Sequence, residues 1–463
     1  MLFSSITFLY IFLPLVLLLY AFVPEQGRNL VLLLMSLLFY AWGEPIYVLL
    51  MLAQIGIVYV LSGFKGRIFF LLSVLVPFAA LFYFKFSNTF PIGISFYTFQ
   101  LASYSIDVYR GQVARQRNFI VLAAYVTLFP QLVAGPIVRY SDVENTLANK
   151  RNVADRYANL EYGIVRFAIG LGKKVLIANV IGEFVTEVSQ LSGRTLALSW
   201  GYAIAVALQI YFDFSGYSDM AIGLGRMMGF YFPENFRYPF ISGSISEFWR
   251  RWHITLGSWF RDYMYIPMGG NRVGMVHWIF NIFVVWGFTG LWHGAEWNFI
   301  LWGLLFAVLL IFEKICKLIN QKFMPSIGSK ECGKWILSIV RHGYVVFFIL
   351  ISFLIFHNTD LERAATDIVS LWNNNVLAIT DTSQKLVCDY MLRNRIVILA
   401  IGLVAATPLP VILWGRFQKW LRMHRGGDTA VHLLRAVSSV ALLLLCTAYI
   451  IDGSFNPFLY FRF

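Results

Sequence analysis

The feature that most constrains this chain is a succession of long apolar runs that carry almost no charge. The first, Phe8–Val23, contains no Asp, Glu, Lys or Arg. A helix needs about 20 mostly apolar residues to cross a bilayer. Hydrophobic residues make up 59% of the chain and charged residues 13%, against about 45–50% and about 25% in soluble proteins. The sequence therefore predicts an all-α, polytopic transmembrane protein with Phe8–Val23 as a retained first span.

The remaining apolar runs predict roughly eleven membrane segments in one integral-membrane domain, residues 1–463. An outer-membrane barrel is excluded, because its strands would alternate in polarity over about ten residues. Several runs are shorter than a full crossing, which predicts tilted spans or partial entry into the bilayer. The further runs are Asn29–Trp42, Ile46–Leu61, Ile68–Phe84, Phe119–Val133, Tyr162–Val180, Leu196–Phe212, Val276–Phe288, Phe299–Phe312, Gly343–His357, Ile396–Trp414 and Val437–Ile451.

The net charge of +13 does not predict a nucleic-acid partner, because no basic domain lies outside the membrane segments. Excess Lys and Arg is typical of cytoplasmic loops and of contact with membrane lipids. We assign Tyr140–Lys174, Glu313–Arg341 and Arg416–Arg435 to the cytoplasmic side. The first is expected to form a solvated helical face, and the third an interfacial helix. The four dispersed cysteines predict neither a disulfide framework nor a metal site.

Residues 236–276 resemble neither a loop nor a span, and we treat them as a central amphipathic or re-entrant element. Ser244 or Ser246 is expected to cap a helix that ends before Pro267, with Glu247 and Arg251 paired at i, i+4. One interpretation is an interfacial anchor, with tryptophans at the membrane surface and arginines at headgroups. The other is a binding site for a phosphopantetheine chain or pyrophosphate, because cations crowd among half-buried aromatic residues.

The segment 287–303 places one histidine, His293, between two strongly apolar stretches. An ionisable side chain at membrane depth indicates a functional site by default. The alternative is a core histidine bonded to backbone carbonyls. Gly290 and Gly294 favour the functional interpretation, because they are expected to leave space beside the ring for a substrate or another chain. A neutral histidine there could act as a general base.

Other motifs are less informative. Asp213 and Asp219 are expected near the end of a span, where they could orient a partner group or mark the membrane interface. The sequence contains no Walker loop, no HExxH and no Gly-x-Ser-x-Gly element, so it lacks the standard signals of P-loop nucleotide binding, zinc-dependent hydrolysis and serine hydrolysis.

Several of these motifs together resemble the membrane-bound O-acyltransferase (MBOAT) family. The similarity is to its bacterial branch of alginate O-acetylation proteins, which is related to the D-alanyl transfer protein of teichoic acids, and it covers most of the chain. The segments that carry it are Pro91–Gln100, Phe129–Ile137, Tyr211–Asp219, Phe248–His253, Trp259–Tyr263, Ile266–Arg272, Trp292–Trp297 and the aromatic end Phe458–Phe463.

The resemblance implies particular functional residues and a particular shape. His293 becomes the expected catalytic histidine, and His253 the second catalytic position. A ring of helices is implied around a thin central region, where a cytoplasmic funnel meets an extracytoplasmic one. The expected donor-binding residues are Arg250, Arg251, Trp252, Arg261, Asn271 and Trp292.

The expected function is transfer of an acyl group, preferably acetyl, from a cytoplasmic thioester to an exopolysaccharide or cell-wall glycan. The donor would be acetyl-CoA or an acylated carrier protein, with no permanently bound cofactor. D-alanyl transfer to teichoic acid is one alternative, and a non-enzymatic transporter or scaffold is another. The expected location is the bacterial inner membrane. An extracytoplasmic acetyltransferase partner is expected to complete the transfer, docked on Phe455–Phe463 unless that tail is a membrane anchor.

Overall fold

A computed structural model describes residues 1–87, 89–133, 135–148, 155–323, 331–373 and 382–453. These residues form helices and connections without any β-strand, which confirms the all-α class. The expected docking tail, Phe455–Phe463, lies outside the described residues. The α-helices are α1 Leu13–Phe22, α2 Arg28–Ala41, α3 Tyr47–Leu61, α4 Arg67–Lys85, α5 Ile94–Tyr109, α6 Phe119–Thr127, α7 Phe129–Leu132, α8 Tyr140–Leu147, α9 Arg156–Gly172, α10 Val180–Ser189, α11 Leu196–Met227, α12 Ile245–Arg251, α13 Ile254–Phe260, α14 Met275–His293, α15 Trp297–Phe323, α16 Glu331–His357, α17 Leu361–Val369, α18 Thr382–Ala405, α19 Leu409–Arg422 and α20 Gly427–Asp452.

Short helices of other types lie between or extend these elements. Among the described residues, π-helical segments cover Phe8–Phe12, Lys173–Asn179 and Arg261–Tyr265. Turns of 3₁₀-helix cover Glu25–Gly27 and Pro239–Ile241. A π-helical turn inserts one residue into the α-helical ladder, and such turns are frequent at functional sites.

Six of the described helices are long and apolar enough to cross a membrane, namely α4, α11, α14, α15, α16 and α20. The bent pair α18 and α19 raises the number to seven, and the segments Phe8–Phe22 and Tyr47–Leu61 are shorter apolar helices. The chain is therefore a multi-pass membrane protein, although the predicted count of about eleven segments is not confirmed.

Burial separates the spanning helices into two kinds. The apolar window of α11 is 78% buried within the protein, whereas those of α4 and α20 are 17% and 11% buried. Apolar side chains on α4 and α20 therefore face outward, as helices in contact with lipid do. α11 instead packs within the protein, which explains how it can carry polar side chains such as Gln209 and Asp213.

The described chain divides into two compact units. Of the described residues, unit 1 contains those within 1–176, 214–235 and 432–453, and unit 2 contains those within 177–213 and 236–431. The single-domain boundary 1–463 stays a prediction, as do the thin central region and its two funnels.

Unit 1 contains α5, a helix that sequence analysis did not identify as a membrane segment. Its buried residues include Ser95, Thr98 and Gln100, whose polarity removes the apolar signal of a span. Gly93 caps its N-terminus at φ +79°, and a Cβ there would lie 2.6 Å from the Leu132 carbonyl oxygen. The Pro91–Gln100 motif therefore starts a buried helix at a point that only glycine can occupy without strain.

Unit 1 also contains a charged network around Asp219, a buried acid on α11. Asp219 accepts from Arg166 Nε at 2.8 Å and from Lys173 Nζ at 2.6 Å. Arg166 also donates to both carboxylate oxygens of Glu234, at 3.1 and 2.7 Å. The prediction of a solvated face over Tyr140–Lys174 is therefore wrong for these two cations, because a buried carboxylate attracts them.

Close helix contact in unit 1 explains why Asp219 lies within reach of α9. A Cβ on Gly170 would lie 2.6 Å from the Gly216 carbonyl oxygen, and one on Gly163 would lie 2.6 Å from the Gly223 carbonyl oxygen. Two pairs of glycines thus let the α9 and α11 backbones approach each other.

Three predicted boundaries differ from the structure. Asp213 and Asp219 do not lie at a span end, because α11 continues to Met227. The predicted span Ile396–Trp414 is broken after Ala405, and its two halves are bent by 67°. Pro408 accounts for that break, since proline disfavours a helical conformation in the residue before it, here Thr407. The predicted interfacial helix Arg416–Arg435 is divided between α19 and α20.

Candidate active site

His293 is the last residue of α14, in unit 2, and only 5% of its surface is exposed. Aromatic side chains enclose its imidazole. The ring centroids of Trp302 and Phe356 each lie 5.1 Å away in edge-on contact, and that of Trp292 lies 4.6 Å away. The predicted histidine is thus buried among aromatic rings from α14, α15 and α16.

The glycines beside His293 do not leave space for a ligand, which corrects the sequence-based expectation. A Cβ on Gly294 would lie 2.0 Å from the Phe299 ring, and one on Gly290 would lie 2.5 Å from the Phe299 carbonyl oxygen. Gly303 on α15 similarly approaches the Trp286 carbonyl oxygen on α14. These glycines allow α14 and α15 to pack closely, and that packing fixes His293 against Trp302.

His253 occupies a break between two short helices. The sequence predicted one continuous helix, but α12 ends at Arg251 and α13 begins at Ile254. His253 has φ 43° and ψ 52°, a left-handed conformation that is uncommon for a residue other than glycine. Backbone strain of this kind clusters at functional sites.

The break in the helix has a packing cause. Trp252 adopts an extended conformation, and its buried indole stacks on Phe248 at 5.5 Å and meets Phe353 at 5.0 Å. The Arg237 amide donates to the Arg251 carbonyl at 2.9 Å, an additional backbone bond at the end of α12. Burial of Trp252 and this bond outweigh helix continuity, so the single helix predicted from Ser244 or Ser246 is divided in two.

The predicted start of this element is confirmed. Ser244 Oγ accepts the Glu247 amide at 3.0 Å, which is a helix N-cap. Glu247 pairs with Arg251 at 2.8 Å, as predicted at i, i+4. A hydrogen bond from the Gly243 amide, together with Arg251, holds the pKa of Glu247 below its usual value. Glu313 on α15 also accepts the Ser246 amide at 3.0 Å, which fixes the start of α12.

Trp292 contacts both predicted catalytic histidines. Its ring centroid lies 6.1 Å from that of His253 and 4.6 Å from that of His293, with both contacts edge-on. His253 is 1% exposed, and burial lowers its pKa to about 3. Its imidazole is therefore uncharged at neutral pH, and a neutral imidazole can accept one hydrogen bond and donate another.

The predicted donor-binding residues differ in their exposure and in the partners that their side chains already have. Arg250 is exposed, whereas Arg251 is occupied by Glu247 and by the Arg237 carbonyl oxygen. Arg261 pairs with Asp262 at 2.7 Å, and Asn271 accepts from the Tyr265 hydroxyl at 2.7 Å. Of the three predicted arginines, Arg250 is thus the most available to bind an acyl donor.

Sequence analysis missed a polar cluster close to this site in unit 2. Arg194 and Asp367 form an ion pair at 2.5 Å, and both side chains are almost fully buried. Asn358 donates to the other oxygen of Asp367 at 3.0 Å. The three residues lie far apart in sequence, so no local pattern could have indicated their contact.

Across the described ranges, no group of three or more His, Cys, Asp and Glu residues is arranged to hold a metal ion.

Fold and site together define a multi-pass helical membrane protein with a pair of buried histidines. The sequence model of the membrane-bound O-acyltransferase family, MBOAT, matches residues 110–355. The chain belongs to this family and is an acyltransferase. The matched range contains His253 and His293, although the match itself does not test the role of either residue.

Individual relatives cover different extents of the chain. It is 34% identical to the "probable alginate O-acetylase AlgI" of Pseudomonas putida over the whole length of both proteins. It is 28% identical to the peptidoglycan O-acetyltransferase of Helicobacter pylori, over all of this chain and 98% of that protein. It is 31% identical to the teichoic acid D-alanyltransferase of Bacillus subtilis, over 51% of this chain and 62% of that one.

Proposed function

We propose that this protein O-acetylates an extracytoplasmic glycan, with His293 as the general base. The observation that carries the proposal is that the buried His253 and His293 both make edge-on contact with one indole, that of Trp292. Two relatives that match the full chain are named as O-acetylating enzymes of alginate and peptidoglycan, which favours acetyl over D-alanyl as the transferred group.

The proposed reaction exchanges a thioester for an oxygen ester. His293 accepts the proton of the acceptor hydroxyl as that oxygen attacks the thioester carbonyl. The carbon–sulfur bond then breaks, and the leaving thiolate takes up the proton from His293. General base catalysis of this kind contributes about 10²–10⁴ in rate.

His253 is assigned a different part in the same step. Its lowered pKa keeps it neutral, so it is poorly suited to carry charge through the reaction. A neutral imidazole N–H can instead donate to the oxygen on which negative charge develops. The strained backbone of His253 fixes the position of that donor.

The donor is proposed to be acetyl-CoA or an acyl carrier protein thioester that enters from the cytoplasm. The exposed Arg250 would attract its phosphates. A glycan polymer is too bulky for a site in which His293 is 5% exposed. We therefore propose that an extracytoplasmic partner protein receives the acetyl group and passes it to the glycan, with the chain located in the inner membrane.

Transfer can be tested with purified protein in sealed liposomes. Radiolabelled acetyl-CoA, an acetylated carrier protein and a D-alanylated carrier protein are supplied in separate reactions, each with a small polyol as the acceptor alcohol, in place of the partner protein and its glycan. The proposal predicts alkali-labile acetyl ester in wild type and none with His293→Ala. If only the D-alanyl donor gives a labelled product, the transferred group is D-alanyl and not acetyl. If His293→Ala transfers at more than a tenth of the wild-type rate, His293 is not the general base.

A further inference from the structure

The buried cluster around Arg194 contains more hydrogen-bond donors than its neighbours satisfy. Arg194 Nη2 donates to Asp367, but its Nε and Nη1 have no hydrogen-bond partner among the described residues. The side-chain hydroxyls of Ser199 and Tyr202 likewise have none there. Arg194, Ser199 and Tyr202 are 5%, 2% and 1% exposed. Most buried polar groups in proteins are paired, so such a concentration requires an explanation.

These three residues lie close together. Ser199 and Tyr202 are three residues apart on α11, so they are neighbours on one face of that helix. The guanidinium carbon of Arg194 lies 4.6 Å from the Tyr202 ring centroid. The Trp200 indole donates to the Leu371 carbonyl at 2.8 Å, which holds this end of α11 against the end of α17 that carries Asp367.

The same cluster is adjacent to the histidine site through the last turn of α16. Phe356 contacts the His293 ring at 5.1 Å, and the next residue, His357, contacts the Tyr202 ring at 6.4 Å. Asn298 on α15 donates to the Phe356 carbonyl at 3.2 Å, which fixes this turn. Two consecutive residues of α16 thus contact the candidate base and the polar cluster, respectively.

We infer that Arg194, Ser199 and Tyr202 form a subsite for an uncharged oxygen-bearing group, either a hydroxyl or an acyl carbonyl. Asp367 already balances the charge of Arg194, so a second anion would bring an uncompensated negative charge into the protein. Two guanidinium nitrogens, with three N–H groups between them, and two hydroxyls can donate to neutral oxygen atoms. The inference rests on the proposed function, which supplies the two possible sources of that oxygen: the acceptor alcohol and the acetyl group of the thioester donor.

A stability measurement separates this subsite from an ordinary core position. Tyr202→Phe and Ser199→Ala each remove a hydroxyl that no described residue satisfies, so melting temperature should stay the same or rise. Tyr125→Phe is the matched control, because the Tyr125 hydroxyl donates to the Val138 carbonyl at 2.9 Å. Its removal leaves a buried acceptor unpaired and should lower the melting temperature.

Ligand binding is measured in the same preparations without any turnover. Full-length protein in lipid nanodiscs is melted with S-acetyl-N-acetylcysteamine, a small acetyl thioester, and separately with methyl mannoside, a neutral polyol. The inference predicts that at least one probe raises the wild-type melting temperature. Its Kd should increase roughly five- to tenfold in Tyr202→Phe, as for one lost hydrogen bond, and stay unchanged in Tyr125→Phe.

The probe that binds Tyr202→Phe more weakly than wild type identifies the source of the bound oxygen. A weaker thioester indicates the donor carbonyl, and a weaker polyol indicates the acceptor hydroxyl. The inference is overturned if neither probe stabilises wild type, or if both bind Tyr202→Phe and Ser199→Ala as they bind wild type, since ordered water would then account for the cluster. Loss of probe binding in the variants together with no acetyl transfer by wild type would leave the subsite standing and refute the proposed function.

Discussion

The charged network of unit 1 and the histidine site of unit 2 bury ionisable side chains in opposite ways. In unit 1, Asp219 is held by two cations, and Arg166 is shared with Glu234. In unit 2, His293 is surrounded by the rings of Trp292, Trp302 and Phe356. In the first arrangement each charge meets its opposite, whereas in the second a titratable group lies among aromatic rings.

The contrast indicates what each region contributes. A buried charge that is fully paired has a structural explanation, because removal of one partner leaves the other uncompensated. The imidazole of His293 lies instead among the rings of Trp292, Trp302 and Phe356, so its position is better explained by chemistry. We therefore expect variants in unit 1 to affect mainly stability and variants at the two histidines to affect mainly rate.

The largest expected effect is on the transfer rate of His293→Ala. Without the general base, kcat should fall by about 10²–10⁴. His293→Gln, which keeps a polar side chain of similar length, should be almost as inactive, because an amide cannot accept the proton. Initial rates at saturating donor measure both. Recovery of activity by glutamine would show that His293 only orients the acceptor.

The next effect is a loss of stability in Asp219→Asn. Breaking a buried ion pair costs about 3–5 kcal/mol, and we expect about 2–3 kcal/mol here because Arg166 and Lys173 each keep 24% of their side-chain surface exposed. Denaturant unfolding in detergent measures the change. Asp428→Asn, at an ion pair whose acid is 80% exposed, is the control and should change stability by less than about 1 kcal/mol.

A smaller effect is expected on the pH dependence of stability, because the pKa of His253 changes on folding. Its folded pKa of about 3 lies below the unfolded value of about 6.5. Between these values the unfolded chain binds a proton that the folded chain does not, so stability falls as pH decreases. From pH 7 to pH 5 the wild type should lose about 1–2 kcal/mol more than His253→Gln. Equal losses in both proteins would mean that His253 titrates normally when folded.

The smallest effect concerns the exposed arginine of the central element. Arg250→Glu should raise the half-saturating concentration of donor by about two- to fivefold, and by less at high salt, because exposed charges are screened over about 8–10 Å. Arg425→Glu makes the same charge change at another exposed position and should leave donor binding unaltered. If Arg250→Glu also leaves it unaltered, the central element is an interfacial anchor.

The buried position of His293 could be anticipated, because a single ionisable residue in an apolar run is visible without any tertiary information. The Ser244 cap and the Glu247–Arg251 pair were similarly predictable, since both depend on local spacing. The helix α5 was missed because its buried Ser, Thr and Gln side chains lower its hydropathy. That α5 is buried becomes visible only when its neighbouring helices are known.

Other features depend on contacts that no local pattern contains. The break at His253 follows from the burial of Trp252 against Phe353, a hundred residues away in the chain. The glycines beside His293 were correctly singled out but wrongly explained, because their neighbour is Phe299 and not a ligand. Arg194 and Asp367 meet only through tertiary packing, so their pairing could not be anticipated.

The most direct test of this account measures acetyl transfer per folded molecule and melting temperature for His293→Ala and Asp219→Asn in one preparation. The account predicts that His293→Ala loses transfer by at least about 10² while melting near the wild-type temperature. Asp219→Asn should melt at a clearly lower temperature yet keep most of its transfer rate below that temperature. A stable Asp219→Asn without activity, or an unstable His293→Ala, would contradict the division between the structural network and the catalytic site.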